Sequence, residues 1–143
     1  MTRKSTIKLA AIAAAAFVMT SDAATSEGAL AIGSTGNVTK DGIAYGGAYN
    51  HPNRQSAVDA AIATCRKWNA PKAAARCELV ATFTRECYAV ANDPKAGTPG
   101  TGWATGRDKD TAGQRALAAC RATAGRDRRD FCVVDQSNCD VND

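Results

Sequence analysis

A single histidine, His51, stands in the whole chain of 143 residues, and nothing in the sequence beside it equips it for catalysis. A histidine base needs a nucleophile or a carboxylate next to it, and no linear motif nominates one. GxSxG, HExxH and the Walker phosphate loop are all missing, which removes the best-marked hydrolases, metalloproteases and nucleotide binders. Cysteine pairs of the CxxC type are missing too, so thiol–disulfide exchange and closely paired zinc ligands lose their usual signature. Aromatics reach only 6%, and alanine supplies much of the apolar share, so the core must be small. A membrane-spanning helix needs about 20 apolar residues, and the uncharged run Leu9–Met19 is about half that.

That run has a different meaning. Arg3, Lys4 and Lys8 precede or open it, and Ser21-Asp22-Ala23 follows with small residues at the −3 and −1 positions of a cut before Ala24. Residues 1–23 therefore read as a secretory signal, and 24–143 as the mature chain, a single domain. No cysteine follows the cut, which argues against a lipid anchor. The leader takes three of the 18 basic residues and one of the 14 acidic ones, leaving 15 against 13 on the mature chain. A net charge this small gives no electrostatic case for nucleic acid. The densest basic cluster, Arg126, Arg128 and Arg129, is interleaved with Asp127 and Asp130 and reads as a solvated loop.

The mature chain repeats itself. Aligning Gly47-Ala48 with Gly102-Trp103 and running on without a gap brings Asn53 onto Asp108, Ala61-Ile62 onto Ala116-Leu117 and Cys65-Arg66 onto Cys120-Arg121. The next cysteine follows 12 positions later in both copies, at Cys77 and Cys132. Upstream, Leu30-Ala31-Ile32 matches Tyr88-Ala89-Val90. The repeats span about 28–84 and 85–139.

Each repeat reads as strand, strand, helix, strand. Ala29–Ile32 and Ile43–Asn50 are bounded by Gly, Asn and Asp, as are Tyr88–Ala91 and Gly102–Thr105. The intervening loops are 33–42 and 93–101. Gly33-Ser34-Thr35-Gly36 resembles a phosphate loop only in composition and reads as a turn. Asn53 and Asp108 are N-caps, since a short side-chain oxygen can accept a free first-turn N–H. Behind them, Ala57, Val58, Ala61, Ile62 and Cys65 form one apolar stripe, repeated by Ala112, Ala116, Leu117 and Cys120. The fold class is α+β: antiparallel sheet, single or double, with two equivalent alanine-rich helices packed on it.

Six cysteines in an exported chain read as a disulfide framework. Equivalent halves should make equivalent local bonds, which pairs Cys65 with Cys77 and Cys120 with Cys132. Cys87 and Cys139 are left to each other, as a clasp between the halves. No metal site and no cofactor is implied.

The pattern as a whole resembles one known family, the domain of unknown function 4189 of exported proteins from proteobacteria and mycobacteria. The residues that carry it are GlyAlaLeuAlaIleGly at 28–33, GlyIleAlaTyrGlyGlyAlaTyrAsn at 42–50 and SerAlaValAspAlaAlaIleAlaThrCys at 56–65. Cys77-Glu-Leu-Val, Cys87-Tyr-Ala-Val-Ala, ThrGlyTrpAlaThrGly at 101–106 and AlaLeuAlaAlaCys at 116–120 complete it. The resemblance implies an exported, disulfide-bonded domain and brings no reaction and no catalytic residues.

Function is less clearly written. Asp59, Glu78 and Glu86 read as solvated carboxylates, and His51, between Asn50 and Pro52, as a surface or capping residue. Tyr45, Tyr49 and Trp103 lie on the equivalent second strands; they serve either as packing under the helices or as an exposed patch for a protein or glycan partner. Trp68 reads as a cover for the end of the first helix. The expectation is a non-catalytic binding domain for a protein or another component of the cell envelope, acting in the periplasm or outside the cell. The alternative is a hydrolase or hydrolase inhibitor with its site in loops 33–42 and 93–101.

Overall fold

The computed structural model describes residues 26–140; the leader expected at 1–23 and the cut expected before Ala24 lie outside the described residues. Six strands and four helices follow in the order β1 (Glu27–Gly33), α1 (Val38–Asp41), β2 (Ala44–His51), α2 (Arg54–Arg66), α3 (Pro71–Ala74), β3 (Glu78–Phe83), β4 (Cys87–Asn92), β5 (Thr101–Gly106), α4 (Lys109–Thr123) and β6 (Val133–Cys139). A 3-10 turn at Arg126–Phe131 precedes β6. The chain is α+β, with two antiparallel three-stranded sheets ordered β2-β1-β3 and β5-β4-β6.

Alternation along the central strands explains how the layers stack. In β1, Ala29 and Ala31 face α2, while Leu30 and Ile32 face the other way. In β4, Ala89 and Ala91 face α4, while Tyr88 and Val90 join Leu30 and Ile32 in a shared cluster. Successive strand residues point to opposite faces, so small residues meet the helices and large ones meet between the sheets. The result is four layers: α2, first sheet, second sheet, α4. Leu30, Tyr45, Tyr88 and Val90 are fully buried between the sheets, each worth about 1.5–3 kcal/mol of burial. Burial also raises the Tyr88 hydroxyl above its ordinary pKa, and Asn138 donates to it at 3.2 Å.

Both long helices start where a side chain accepts a free N–H. Asn53 takes the Ser56 N–H at 2.9 Å, and Asp108 takes that of Thr111 at 2.7 Å. Ala57, Ala61 and Cys65 are buried on α2, as are Ala112, Ala116 and Cys120 on α4. The helices sit very close to their sheets. A Cβ on Gly46 would lie 2.3 Å from the Ala61 oxygen and the Cys65 nitrogen, and one on Gly102 would lie 2.3 Å from the Cys120 nitrogen.

Those two glycines correct the ungapped alignment of the repeats. Gly46, not Gly47, is the structural equivalent of Gly102, so Gly47 corresponds to Trp103 and Ala48 to Ala104. Pairing shifts between Glu27↔His51 and Ala29↔Ala48, two steps on β1 against three on β2, whereas β4 and β5 pair without a shift. The extra residue makes a β-bulge near Asn50, whose φ is 58°; asparagine tolerates that left-handed region better than most residues. A second irregularity recurs in both halves: β3 carries an extra residue between Ala81 and Leu79, and β6 one between Gln136 and Val134.

Three disulfides, Cys65–Cys77, Cys120–Cys132 and Cys87–Cys139, cross-link the fold. Cys65–Cys77 and Cys120–Cys132 each tie a helix to the start of the strand that follows. Each closes a 12-residue separation, contributing about 3 kcal/mol on the chain-entropy model. Cys87–Cys139 does not clasp the two halves. The two residues are directly paired neighbours on β4 and β6, so the bond lies inside the second sheet.

Asp140 joins the halves instead. It is fully buried, and its carboxylate accepts from the Ser26 hydroxyl, from the Asn50 N–H at 2.8 Å and from the Arg85 N–H at 3.2 Å. Asn50 and Arg85 are the two non-glycine residues with positive φ among the described residues. One carboxylate thus pairs the backbone at a strained corner of the first half and at the strained corner between the halves.

Candidate functional site

Asp140 ties the sheets at one end, and the hairpin loops lie at the other. The β1–β2 loop and the β4–β5 loop there line a groove of about 390 Å³, within the range of small-molecule sites. Val38 and Ile43 come from the first loop, Asp93, Lys95 and Thr98 from the second, and Trp68 from beyond α2. Loops 33–42 and 93–101, equivalent in the repeat, therefore meet across one space.

Both loops are braced. In the first, Val38–Asp41 forms one helical turn capped by Asn37, which accepts from the Lys40 N–H at 3.2 Å. Asp41 accepts from the Thr35 hydroxyl at 2.8 Å and from Lys72 Nζ at 3.1 Å, which fastens the loop to α3. These partners, the Thr35 hydroxyl first, hold the Asp41 carboxyl below its ordinary pKa. In the second loop, the Asp93 N–H donates to the Gly100 oxygen at 2.9 Å, and the Thr98 hydroxyl donates to the Lys95 oxygen at 2.7 Å.

Asp93 is the most constrained ionisable group at the groove. Its side chain is fully buried. Arg128 donates through Nε to one oxygen at 2.7 Å and through Nη2 to the other at 2.6 Å, and the Lys95 N–H adds a bond at 3.0 Å. The guanidinium hydrogen bonds lower the Asp93 carboxyl to about 2. Arg128 is raised in turn by its bonds to Asp93, and its charged end lies 4.0 Å above the Phe131 ring. Of the arginines expected in a solvated loop, Arg126 and Arg129 are exposed, and the expectation is corrected for Arg128. Arg126–Phe131 is a 3-10 turn, and it turns Arg128 inward against a carboxylate from a loop 35 residues earlier.

The aromatic residues separate. Tyr45 is 1% exposed and belongs to the layer between the sheets, whereas Tyr49 and Trp103 are 43% and 37% exposed. Tyr45 and Tyr49 stand on the first sheet and Trp103 on the second, so the three do not share one flat exposed patch. Trp68 is the residue that Tyr45 meets. Their ring centroids are 3.9 Å apart at 42°, which holds the half-exposed Trp68 ring in the wall of the groove. Trp103 lines a second groove of about 300 Å³ with Ile32, Val38, Ile43 and Thr123. Val38 and Ile43 border both grooves, forming a ridge with Trp68 on one side and Trp103 on the other.

The lining of the first groove includes no His, Ser or Cys, and its buried carboxylate is taken up by Arg128. Among the described residues, no three His, Cys, Asp or Glu side chains gather as metal ligands, and no helix is long and apolar enough to cross a membrane. Sequence reasoning missed Trp68 as a groove residue and Arg128 as the partner that holds Asp93. Asp93, in an Asn-Asp-Pro turn, and Arg128, in a mixed-charge run, look like ordinary surface residues.

The model of the family described as Domain of unknown function (DUF4189) matches residues 28–139, and the chain belongs to that family. No curated protein and no solved structure matches it.

Proposed function

We propose that this chain is an exported, non-catalytic binding domain that engages a component of the cell envelope through the groove between its two hairpin loops. The observation that carries this reading is the convergence of loops 33–42 and 93–101 on one space with an aromatic wall. Both loops are held by internal hydrogen bonds and by ion pairs to other elements. Binding to a preorganised surface avoids much of the ordering cost that a flexible loop would incur. Three disulfides suit an oxidising compartment, in keeping with the leader read at 1–23.

The test is co-sedimentation of the purified exported protein with isolated envelope. Ala96→Arg adds bulk at an exposed position of the groove wall and is expected to abolish retention. Ala63→Arg, on the exposed side of α2, is expected to leave it unchanged. Equal retention of both variants would contradict the proposal. Export is read separately from the intact mass of the exported chain, expected to begin at Ala24.

A further inference from the structure

We infer that the ligand is a glycan chain lying across the Val38–Ile43 ridge, with one sugar unit against Trp68 and another against Trp103. This rests on the binding role proposed above and names its ligand class. Two neighbouring grooves, of about 390 and 300 Å³, share the ridge, and each has one tryptophan that is 37% exposed. An aromatic ring has a negative face, which attracts the weakly positive C–H groups on the flat side of a pyranose. Two such rings on either side of a ridge suit a repeating ligand better than a single compact one.

The polar lining points the same way. Around the larger groove stand an amide, Asn92, a hydroxyl, Thr98, one cation, Lys95, and one exposed carboxylate, Asp135. The second groove adds the hydroxyls of Ser34 and Thr101, while that of Thr123 already bonds the Thr101 and Cys120 backbone. Donors and acceptors without an excess of either charge match a neutral polyhydroxyl chain. A phosphate-rich ligand would call for several cations, and Lys95 is the one Lys or Arg in either lining. A purely apolar ligand would strip water from these groups without replacing their hydrogen bonds.

The experiment uses the full mature protein, N-acetylglucosamine oligomers of increasing length, and purified cell-wall glycan freed of protein by protease. Affinity is expected to rise with oligomer length until both tryptophans are spanned. Trp68→Ala should weaken binding of every oligomer by about tenfold. Trp103→Ala should weaken only the longer ones by a similar factor. Trp68 packs on Tyr45, so Asp135→Ala, at an exposed position, serves as a second variant and should weaken binding without lowering the thermal midpoint. Binding that ignores all three substitutions overturns the inference. Retention on untreated envelope but not on deproteinised glycan, with no oligomer bound, also overturns it, in favour of a protein partner, and leaves the proposed binding role standing. Retention on neither material removes both.

Discussion

Arg128 grips both carboxylate oxygens of Asp93, at 2.7 and 2.6 Å, and so fastens the β4–β5 loop to the turn that leads into β6. A bidentate guanidinium–carboxylate pair fixes orientation as well as distance. One wall of the groove is thereby held by a residue from a distant part of the chain.

That pair makes a prediction about acid. The Asp93 carboxyl titrates at about 2 in the folded protein against an ordinary 3.8. A depressed folded value means its stabilisation is complete above the ordinary carboxylate pKa and is lost as pH falls through the folded one. Thermal midpoints should therefore decline between about pH 4 and pH 2, and Arg128→Met should flatten that decline while lowering stability at neutral pH. Amide exchange in 93–100 should accelerate in the variant. An acid limb identical to the wild type would show that Arg128 does not hold Asp93.

Asp140 should be as costly to lose as a core residue, although it is a charged residue near the end of the described chain. Asp140→Ala strands the Asn50 and Arg85 N–H groups, and an unpaired buried donor costs about 1–3 kcal/mol. Urea unfolding should show a loss of about 2 kcal/mol or more, with faster amide exchange at Asn50 and Arg85. A change of a few tenths would mean that water replaces the carboxylate freely.

Two glycines should respond with opposite signs. Gly113 is helical, and a Cβ there would meet Val134 at an ordinary 3.5 Å, so Gly113→Ala should gain up to about 1 kcal/mol from helix propensity. Gly102→Ala would drive a Cβ into the α4 backbone at 2.3 Å and should cost about 1–3 kcal/mol through overpacking. Calorimetric midpoints of the two variants check both signs.

Much of the fold was legible because the repeat carries it. Asn53 and Asp108, the alanine stripes behind them and the equal spacing of Cys65–Cys77 and Cys120–Cys132 each mark the same unit twice. Alignment slipped by one residue in the second strand because the bulge at Asn50 inserts a residue into β2 that β5 lacks, and no gap is visible when glycines stand side by side at Gly46-Gly47. The groove was half legible. Its loops could be named from Gly and Pro content, but its walls depend on contacts between distant residues. Tyr45 meets Trp68 and Asp93 meets Arg128 within one repeat but across 23 and 35 residues of chain, and local pattern cannot express that.

On the proposed function, ligand binds in the space between the hairpin loops. Shift mapping of the ¹⁵N-labelled mature protein, titrated with solubilised envelope fragments, tests it most directly. Perturbations should concentrate at Val38–Ile43, the Trp68 indole, residues 92–100 and Asp135, with the Asp140 end unchanged. Perturbations confined to the exposed faces of β3 and α4, or none at saturating fragment, would contradict it.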